Sequence, residues 1–426
     1  MAMQRIISSP ALLTRKRKVF RVAIVFISLF SGVVGGTNGA AVSEIIAVKI
    51  PPPPARFTFS GWVETGITAN ADDPKDHQNF GHLFTDRSNE FLLNQIVLTA
   101  ERTLDPAATG FDWGFKAQAL YGSDARYIHS TGFLQNTQHD IVQPDLVEAW
   151  VLLHAAITGT AGGLDVKIGK FITLEGVETI DPRTNIFYSH SYIFNYALPI
   201  NHTGVISTLH LAKWIDLYGG ATRGVNTGTT DNNGSAAFHG GVGFNFADGK
   251  LSALATTHIG PENPNNDHDL RYLNDLVVTW KPTEKLTAVI DFAFAEDESV
   301  SGGAKAYGAA GYLSYAANNW LTLGARAEIY RDEKGFFVGS FAGNDNFIDI
   351  QRGKTNALDS RTFFQPGTFT EITVGATIKL PTPKPFLGIS IRPEIRYDAA
   401  LTSGRPFSDR RQPEQLTFGL DAVLKF

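Results

Sequence analysis

The chain has 426 residues, of which 43% are hydrophobic, 11% aromatic and 19% charged, with 41 glycines and no cysteine. The lack of cysteine excludes a disulfide framework and thiolate metal sites, and the charged fraction is below the soluble average of about 25%. The net charge of −5 argues against nucleic acid as a partner.

Residues 1–41 have the pattern of a signal peptide. Basic residues cluster at 15–21, an apolar stretch covers 22–34, and small residues at 39–41 fit a cleavage site. The apolar stretch is short for a bilayer-spanning helix, which disfavours a single membrane anchor. Since 1–41 contain six basic residues and no acidic one, cleavage would change the net charge from −5 to −11.

Residues 42–56 are predicted to be a periplasmic leader. The four prolines at 51–54 favour a stiff polyproline II spacer. The alternative is that 44–48 form an energy-coupling box, but receptors with such a box need a plug domain, and here the strands begin at Phe57. We therefore predict a single outer-membrane β-barrel over 57–426.

From Phe57 onward the chain consists of segments of about ten residues with alternating apolar and polar side chains. In the last segment, Leu416, Phe418 and Leu420 alternate with Thr417, Gly419 and Asp421. The segments 321–330, 371–380 and 389–398 behave in the same way. The apolar set would face lipid and the polar set the lumen. In 389–398, Pro393 falls in the apolar set, which predicts a bulge or a bend there.

The strands of a soluble β-sandwich could also alternate apolar and polar side chains, so the length of the connectors is needed to distinguish a sandwich from a barrel. Long connectors such as 123–145 follow odd strands, and short turns such as 213–214 follow even strands. This parity predicts an all-β transmembrane antiparallel barrel of about 16 strands with long extracellular loops and short periplasmic turns, a size that leaves an aqueous channel. The predicted strands are 57–68, 90–101, 111–122, 146–156, 164–171, 203–212, 215–223, 235–246, 251–258, 272–281, 286–296, 305–316, 321–331, 368–380, 389–398 and 415–426.

Aromatic residues near the strand ends would form girdles at the two membrane interfaces. The terminal Phe426 looks like the signal that the bacterial barrel-assembly machinery reads. The expected surroundings are outer-membrane lipids and lipopolysaccharide. The predicted girdle residues are Trp62, Trp113, Tyr121, Trp150, Trp214, Trp280, Tyr312, Trp320 and Tyr397, with Trp150 the poorest fit because its phase points inward.

The most specific stretch lies in the middle of the chain. Residues 169–178 read GKFITLEGVE, 188–191 read YSHS and 199–204 read PINHTG. These motifs resemble the OmpL-like β-barrel porins, and weaker matches at 93–95, 326–328 and 396–398 extend the resemblance over the mature chain. One departure is 305–308, where the family often has tryptophan. The resemblance implies a porin whose solute is unassigned, and it leaves a homotrimer open.

The connector 172–202 joins predicted strands five and six. In general porins the loop at this place folds into the lumen, so by resemblance this segment is the candidate constriction. Carboxylates there, facing a basic wall, would set up a transverse field that sorts ions by charge. The alternative is a solvated outer loop. The candidate constriction residues are Glu175, Glu178, Asp181, Arg183 and His190.

The inward phase of the strands predicts charged side chains along the lumen. Such charges either set selectivity or only pair across strands, each pair contributing little. Together with the acidic mature chain they favour a slight cation preference. The candidate pore-lining residues are Lys116, Glu148, Lys167, Asp291, Arg326, Glu328, Glu371, Lys379, Arg392, Glu394, Arg396 and Asp421.

No metal site or cofactor is predicted. The loop histidines, His77 and His82 or His129 and His139, lack the i, i+4 spacing of a zinc-binding helix. The strand histidines His154, His210, His239 and His258 show no grouping with a serine and a carboxylate that would indicate an enzyme. The runs 265–269 and 344–346 could bind Ca²⁺ through oxygen ligands, but such runs are more often polar loop tips.

Three functions remain. The first is a passive outer-membrane porin for small hydrophilic solutes and ions. The second is an outer-membrane enzyme, which would need a serine, histidine and carboxylate cluster that the sequence does not indicate. The third is a surface or adhesion scaffold that uses the long loops 123–145 and 332–367. We predict the porin, without enzymatic activity, in the outer membrane of a Gram-negative bacterium.

Overall fold

The computed structural model describes residues 56–105, 110–134, 140–339 and 366–426. These residues form sixteen antiparallel strands in one closed barrel, in which each strand pairs with its neighbours in the chain and β1 pairs with β16. The strands are β1 Phe57–Asn70, β2 Phe91–Arg102, β3 Asp112–Gly122, β4 Gln143–Ala155, β5 Gly163–Ile172, β6 Asn201–Ala212, β7 Ile215–Thr222, β8 Ala237–Phe246, β9 Leu251–Pro261, β10 Leu270–Trp280, β11 Leu286–Asp297, β12 Ala304–Ala316, β13 Leu321–Asp332, β14 Gly367–Leu380, β15 Gly388–Ala400 and β16 Glu414–Lys425.

The predicted fold class is confirmed. The predicted strands match the observed ones to within about three residues, because period-2 alternation is a local property of the chain. The predicted signal peptide and all of the predicted leader except residue 56 lie outside the described residues, so they stay predictions. No helix among the described residues is long and apolar enough to span a membrane.

The two faces of the wall differ as the alternation predicts. Ile372 and Val374 are exposed on the outer face, while Glu371 and Thr373, which alternate with them, are fully buried inside the barrel. The prediction of an aromatic girdle was wrong for two residues, since Trp62 and Tyr312 are buried. Both occupy inward positions of their strands, and Trp62 donates a 2.9 Å hydrogen bond from Nε1 to Gln95.

Pro393 interrupts pairing without shifting the register. On either side of it, Gly375 pairs with Glu394 and Ile378 with Ile391, so the ladder resumes in phase. Of the predicted bulge or bend at this proline, the bulge is therefore wrong, and the bend stays a prediction. Proline lacks the N–H that the ladder needs, and this explains the local loss of pairing.

The connectors differ in length according to the strand that they follow. The two longest, 173–200 and 333–366, follow odd-numbered strands, whereas tight turns such as 213–214 and 247–250 follow even-numbered ones. That the odd connectors face the cell exterior stays a prediction. Short helices occur at Ala125–Ile128, Tyr192–Tyr196 and Phe336–Gly339. The side chains of the second of these pack among buried aromatic residues inside the barrel.

Candidate functional site

The connector 173–200, here called the lumen loop, makes hydrogen bonds to inward side chains around the wall. At its base the Thr173 N–H donates to the carbonyl of Ile200, 3.1 Å away. Gly176, with φ of +85°, is in a conformation that favours glycine, and its N–H donates to Asp275 of β10 at 2.8 Å. The loop thus turns toward the interior directly after β5.

The tip of the lumen loop is a closed turn. Asn185 accepts from the Thr179 N–H at 2.9 Å and donates back to the Thr179 carbonyl at 2.7 Å. Arg183 forms a bidentate pair with Asp181, the shortest contact being 2.6 Å. The Arg183 guanidinium lies 3.9 Å from the ring centre of Trp62 on β1. The charges of the tip are therefore paired with each other while its cation covers an aromatic ring of the wall.

Arg326 of β13 joins the lumen loop to the wall most strongly. Its guanidinium lies 2.6 Å from Glu178 of the loop and 2.6 Å from Glu371 of β14. It also donates to the Ser189 carbonyl at 2.8 Å. All three charged side chains are buried. Charge-assisted hydrogen bonds of this kind are stronger than neutral ones, so the middle of the loop is fixed at this point.

Two arginines of β15 bind loop carbonyls. Arg392 pairs with Asp421 at 2.5 Å and Glu64 at 2.9 Å, and donates to the carbonyl of Pro182 at 2.6 Å. Arg396 pairs with Asp398 at 2.7 Å and donates to the His190 carbonyl at 2.5 Å. These two arginines therefore bind the backbone of the lumen loop, whereas Arg326 also binds the side chain of Glu178.

Wall carboxylates bind the loop amides in turn. Glu394 accepts from the Tyr188 N–H at 2.8 Å. Glu328 accepts from the N–H groups of Tyr192 and Ile193 at 2.6 and 2.7 Å, at the start of the short helix, where free N–H groups need acceptors. Both carboxylates are buried, so they satisfy donors that water does not reach.

The environment inside the barrel shifts the pKa of three titratable groups in the connectors. Burial opposes ionisation of Glu178, but Arg326 and His190 outweigh it and hold its pKa below the ordinary value. Burial lowers the pKa of His190 to about 4, although Glu178 partly offsets that effect. Burial and then Arg396 lower the pKa of His82, in the connector 71–90, to about 4. Both histidines are therefore neutral at pH 7.

The other predicted pore-lining residues lie on β3–β5, β11 and β14. Lys116 of β3 is 2.5 Å from Glu148 of β4. Lys167 of β5 lies over the ring of Trp150, 4.9 Å from its centre. Asp291 of β11 is buried beside Asp275, near the base of the lumen loop, and Lys379 of β14 is exposed.

The two walls differ in their access to solvent. The side chains of Arg326 and Arg396 are fully buried, whereas those of Lys116, Asp165 and His154 are 22%, 19% and 16% exposed. The lumen loop contacts Arg326 and Arg396 directly, whereas those three side chains of β3–β5 stay partly exposed, so the loop lies nearer to the wall of β13–β15.

Two further connectors also make contacts inside the barrel, which the sequence analysis did not predict. Arg126, in the short helix Ala125–Ile128, binds Asp86 in bidentate fashion at 2.7 and 2.9 Å. His82 contacts Asp398 of β15 at 3.0 Å. Neither contact has a signal in the local sequence pattern, because each joins residues that lie far apart in the chain.

The structure brings strand histidines together in two places, which the sequence analysis did not predict. His154 and His210 both contact Asp165, at 2.6 and 3.5 Å. His239 and His258 stand opposite each other on β8 and β9, and His202 of β6 joins them. The run 265–269 behaves as a polar turn, since Asn266 accepts from the Asp269 N–H at 3.0 Å; the run 344–346 lies outside the described residues.

Solved structures of outer-membrane proteins share the fold, while no curated protein matches the chain. An anion-selective porin from Comamonas acidovorans has 11% identity and a TM-score of 0.55, with 87% of this chain and 99% of that chain covered. OprB of Pseudomonas putida has 12% identity, a TM-score of 0.52 and coverages of 87% and 94%. The trimer form of OmpT from Vibrio cholerae has 12% identity, a TM-score of 0.51 and coverages of 87% and 99%.

The family described as "Putative beta-barrel porin-2, OmpL-like" matches residues 56–426. This range covers the whole barrel, including the lumen loop and the motifs that flank it. The resemblance drawn from those motifs is confirmed. The chain belongs to the OmpL-like porin family and is a bacterial outer-membrane channel protein.

Proposed function

We propose that this porin is a passive channel for small hydrophilic solutes and ions, and that the lumen loop forms its constriction. The observation that carries the proposal is the set of hydrogen bonds from the loop backbone to wall residues on both sides of the lumen, Asp275 on one and Arg392 and Glu394 on the other. A segment held on both sides narrows the opening without closing a sixteen-stranded barrel, which is wide enough for water.

The solute path in this proposal runs along the wall of β3–β5. The partly exposed charges there, Lys116, Lys167 and Asp165, include both signs. Mixed charges next to a wet passage orient dipolar solutes but exclude neither anions nor cations. We therefore expect weak selectivity, with the slight cation preference that the acidic chain favours. A catalytic role is no part of the proposal.

The partners proposed for the chain follow from its place in the membrane. Outer-membrane lipids and lipopolysaccharide would cover the apolar outer face, and Phe426 would serve the barrel-assembly machinery. One structural neighbour is described in a trimer form, which supports a homotrimer here. Cleavage of 1–41 as a signal peptide and a periplasmic leader over 42–56 belong to the same proposal.

Single-channel recording tests the function. The refolded mature protein is inserted into a planar bilayer under a KCl gradient, and its folding is checked by heat-modifiable migration on gels. We expect stepwise conductance and a small reversal potential of the sign for cation preference. A folded barrel that never conducts would contradict the channel and favour the surface scaffold. A large reversal potential of anion sign would contradict the proposed selectivity.

A further inference from the structure

Three histidines from three strands meet inside the barrel near the base of the lumen loop. His202 lies in β6, His239 in β8 and His258 in β9, and all three side chains are fully buried. The ring centres are 4.3 Å apart for His202 and His239, 4.8 Å for His202 and His258, and 5.7 Å for His239 and His258. One ring nitrogen of each lies within 4.8 Å of the other two.

Two of the rings are oriented by partners on their far side. His258 Nε2 lies 2.6 Å from Glu262, and His202 Nδ1 lies 3.2 Å from the Gly224 carbonyl. A carboxylate or carbonyl that accepts the outer N–H is the usual support of a metal-bound imidazole, because it fixes the tautomer and turns the other nitrogen toward the ion. That other nitrogen has no partner in His258, and in His202 it has a 3.3 Å contact with the Thr173 hydroxyl that an ion would replace.

Several polar atoms at this place have no hydrogen-bond partner in the structure. They are Nδ1 of His239, Nδ1 of His258 and both carboxylate oxygens of Glu175, all buried. Glu175 belongs to the lumen loop, and its Oε1 lies 3.9 Å from Nδ1 of His239. A buried polar atom that has lost its water and gained no other partner destabilises the folded protein. Three neighbouring side chains in this condition therefore indicate a ligand that would contact all of them.

We propose that His202, His239 and His258 bind a divalent transition-metal ion of the zinc class, with Glu175 as the fourth ligand. Imidazole selects Zn²⁺, Cu²⁺ or Ni²⁺ over Mg²⁺ and Ca²⁺, which prefer oxygen ligands. An equilateral triangle of nitrogens 4.8 Å apart has its centre about 2.8 Å from each corner. Each ligand would move inward by roughly 0.7 Å to reach the Zn–N distance of about 2.1 Å.

The bound ion would link the lumen loop to the wall. Ligation of His239 through Nδ1 puts the ring proton on Nε2, so the long 3.3 Å contact from the Leu174 N–H would give way. In exchange Glu175, three residues after the end of β5, would be tied to β6, β8 and β9. The metal would thereby fix the base of the loop, while the arginines of β13 and β15 fix its middle.

The test uses the refolded mature barrel after treatment with a chelator. Zn²⁺ is titrated calorimetrically, bound metal is counted after desalting, and the midpoint of heat-modifiable gel migration is measured with and without Zn²⁺. We expect one Zn²⁺ per chain, a higher midpoint with Zn²⁺, and no effect of Mg²⁺. The double variant His239→Gln with His258→Gln should lose affinity at least tenfold and lose the midpoint increase.

Two further variants complete the test. His154→Gln removes a histidine that contacts Asp165 on the wall of β4 and β5, and it should bind Zn²⁺ like the wild type. Glu175→Gln should weaken binding about tenfold, within the range typical of altered metal sites. No binding by the wild type, or equal binding by the double variant, would overturn the site. Unchanged affinity in Glu175→Gln would overturn the fourth ligand.

Discussion

At the scale of single residues, the lumen loop depends most on Arg326. Glu178 and Glu371 are buried carboxylates that lie 2.6 Å from the Arg326 guanidinium. Arg326→Met would leave both of them without this cation. Breaking a buried ion pair by removing one partner costs about 3–5 kcal/mol. We expect a lower midpoint of heat-modifiable migration, together with larger and noisier single-channel conductance because the loop loses its central hydrogen bonds.

Arg331→Met is the matched control for that variant. Arg331 lies on the same strand but only partly buried, with a 3.0 Å hydrogen bond to Thr368, so its loss should change the midpoint little. Adding Glu178→Gln and Glu371→Gln to Arg326→Met removes the two carboxylate charges that have lost their cation, and it should recover part of the stability. If Arg326→Met keeps the wild-type midpoint and conductance, the guanidinium does not hold the loop.

Acid should loosen the connectors through His82 and His190. The pKa of each is lowered by burial to about 4 in the folded barrel, against about 6.5 when exposed. The folded state thus binds fewer protons than the unfolded one, so their contribution is complete above about pH 6.5 and is lost as the pH falls toward 4. Each loss is on the order of 3 kcal/mol.

The measurement for this prediction is open-channel noise against pH. Noise should rise between about pH 6.5 and 4, because protonation of buried imidazoles favours undocked connectors. Glu178, which faces His190, has a lowered pKa, so it stays ionised through most of this range. In the double variant His82→Gln with His190→Gln the rise should disappear. A wild-type channel that is equally quiet at pH 7 and pH 4 would refute the mechanism.

At the scale of elements, the strands were predictable from the sequence because each one carries its own alternation. The path of the lumen loop was not, since Arg392 and the carbonyl of Pro182 are 210 residues apart in the chain. The histidine cluster was predictable only in part. His239 and His258 are equally distant from the turn 247–250, so their pairing follows from the hairpin of β8 and β9. The position of His202 does not follow from that hairpin, because β7 lies between β6 and β8.

Wall glycines make room for the lumen loop, which gives an element-scale prediction. A Cβ at Gly324 of β13 would lie 2.4 Å from Ile186 and 3.0 Å from the ring of Phe187, both in the loop. We expect Gly324→Leu to push the loop from the wall and change conductance at least twofold. Gly311→Leu, where a Cβ meets nothing within 4 Å, should leave conductance unchanged. Equal conductance in the two variants would show that the loop does not pack there.

At the scale of the whole molecule, the barrel exists only if its first and last strands meet. Nine residue pairs from Trp62–Lys425 to Asn70–Thr417 join β1 to β16. The terminal residue extends this seam, because Phe426 and Gly61 exchange backbone hydrogen bonds of 3.0 and 2.9 Å. The closing strand is thus bonded along its whole length, and Phe426 has a structural role beside the one proposed in assembly.

Gly61 permits that contact, so its substitution tests closure. A Cβ there would lie 2.3 Å from the Val97 carbonyl and 2.7 Å from the Phe426 ring, a clash that the backbone must relieve. Overpacking of this kind costs about 1–3 kcal/mol, and Gly61→Ala should lower the midpoint of heat-modifiable migration and the folded yield. Gly311→Ala adds the same methyl group to the wall without a contact and should change neither. A Gly61→Ala barrel as stable as Gly311→Ala would mean that closure tolerates a wider seam than these distances imply.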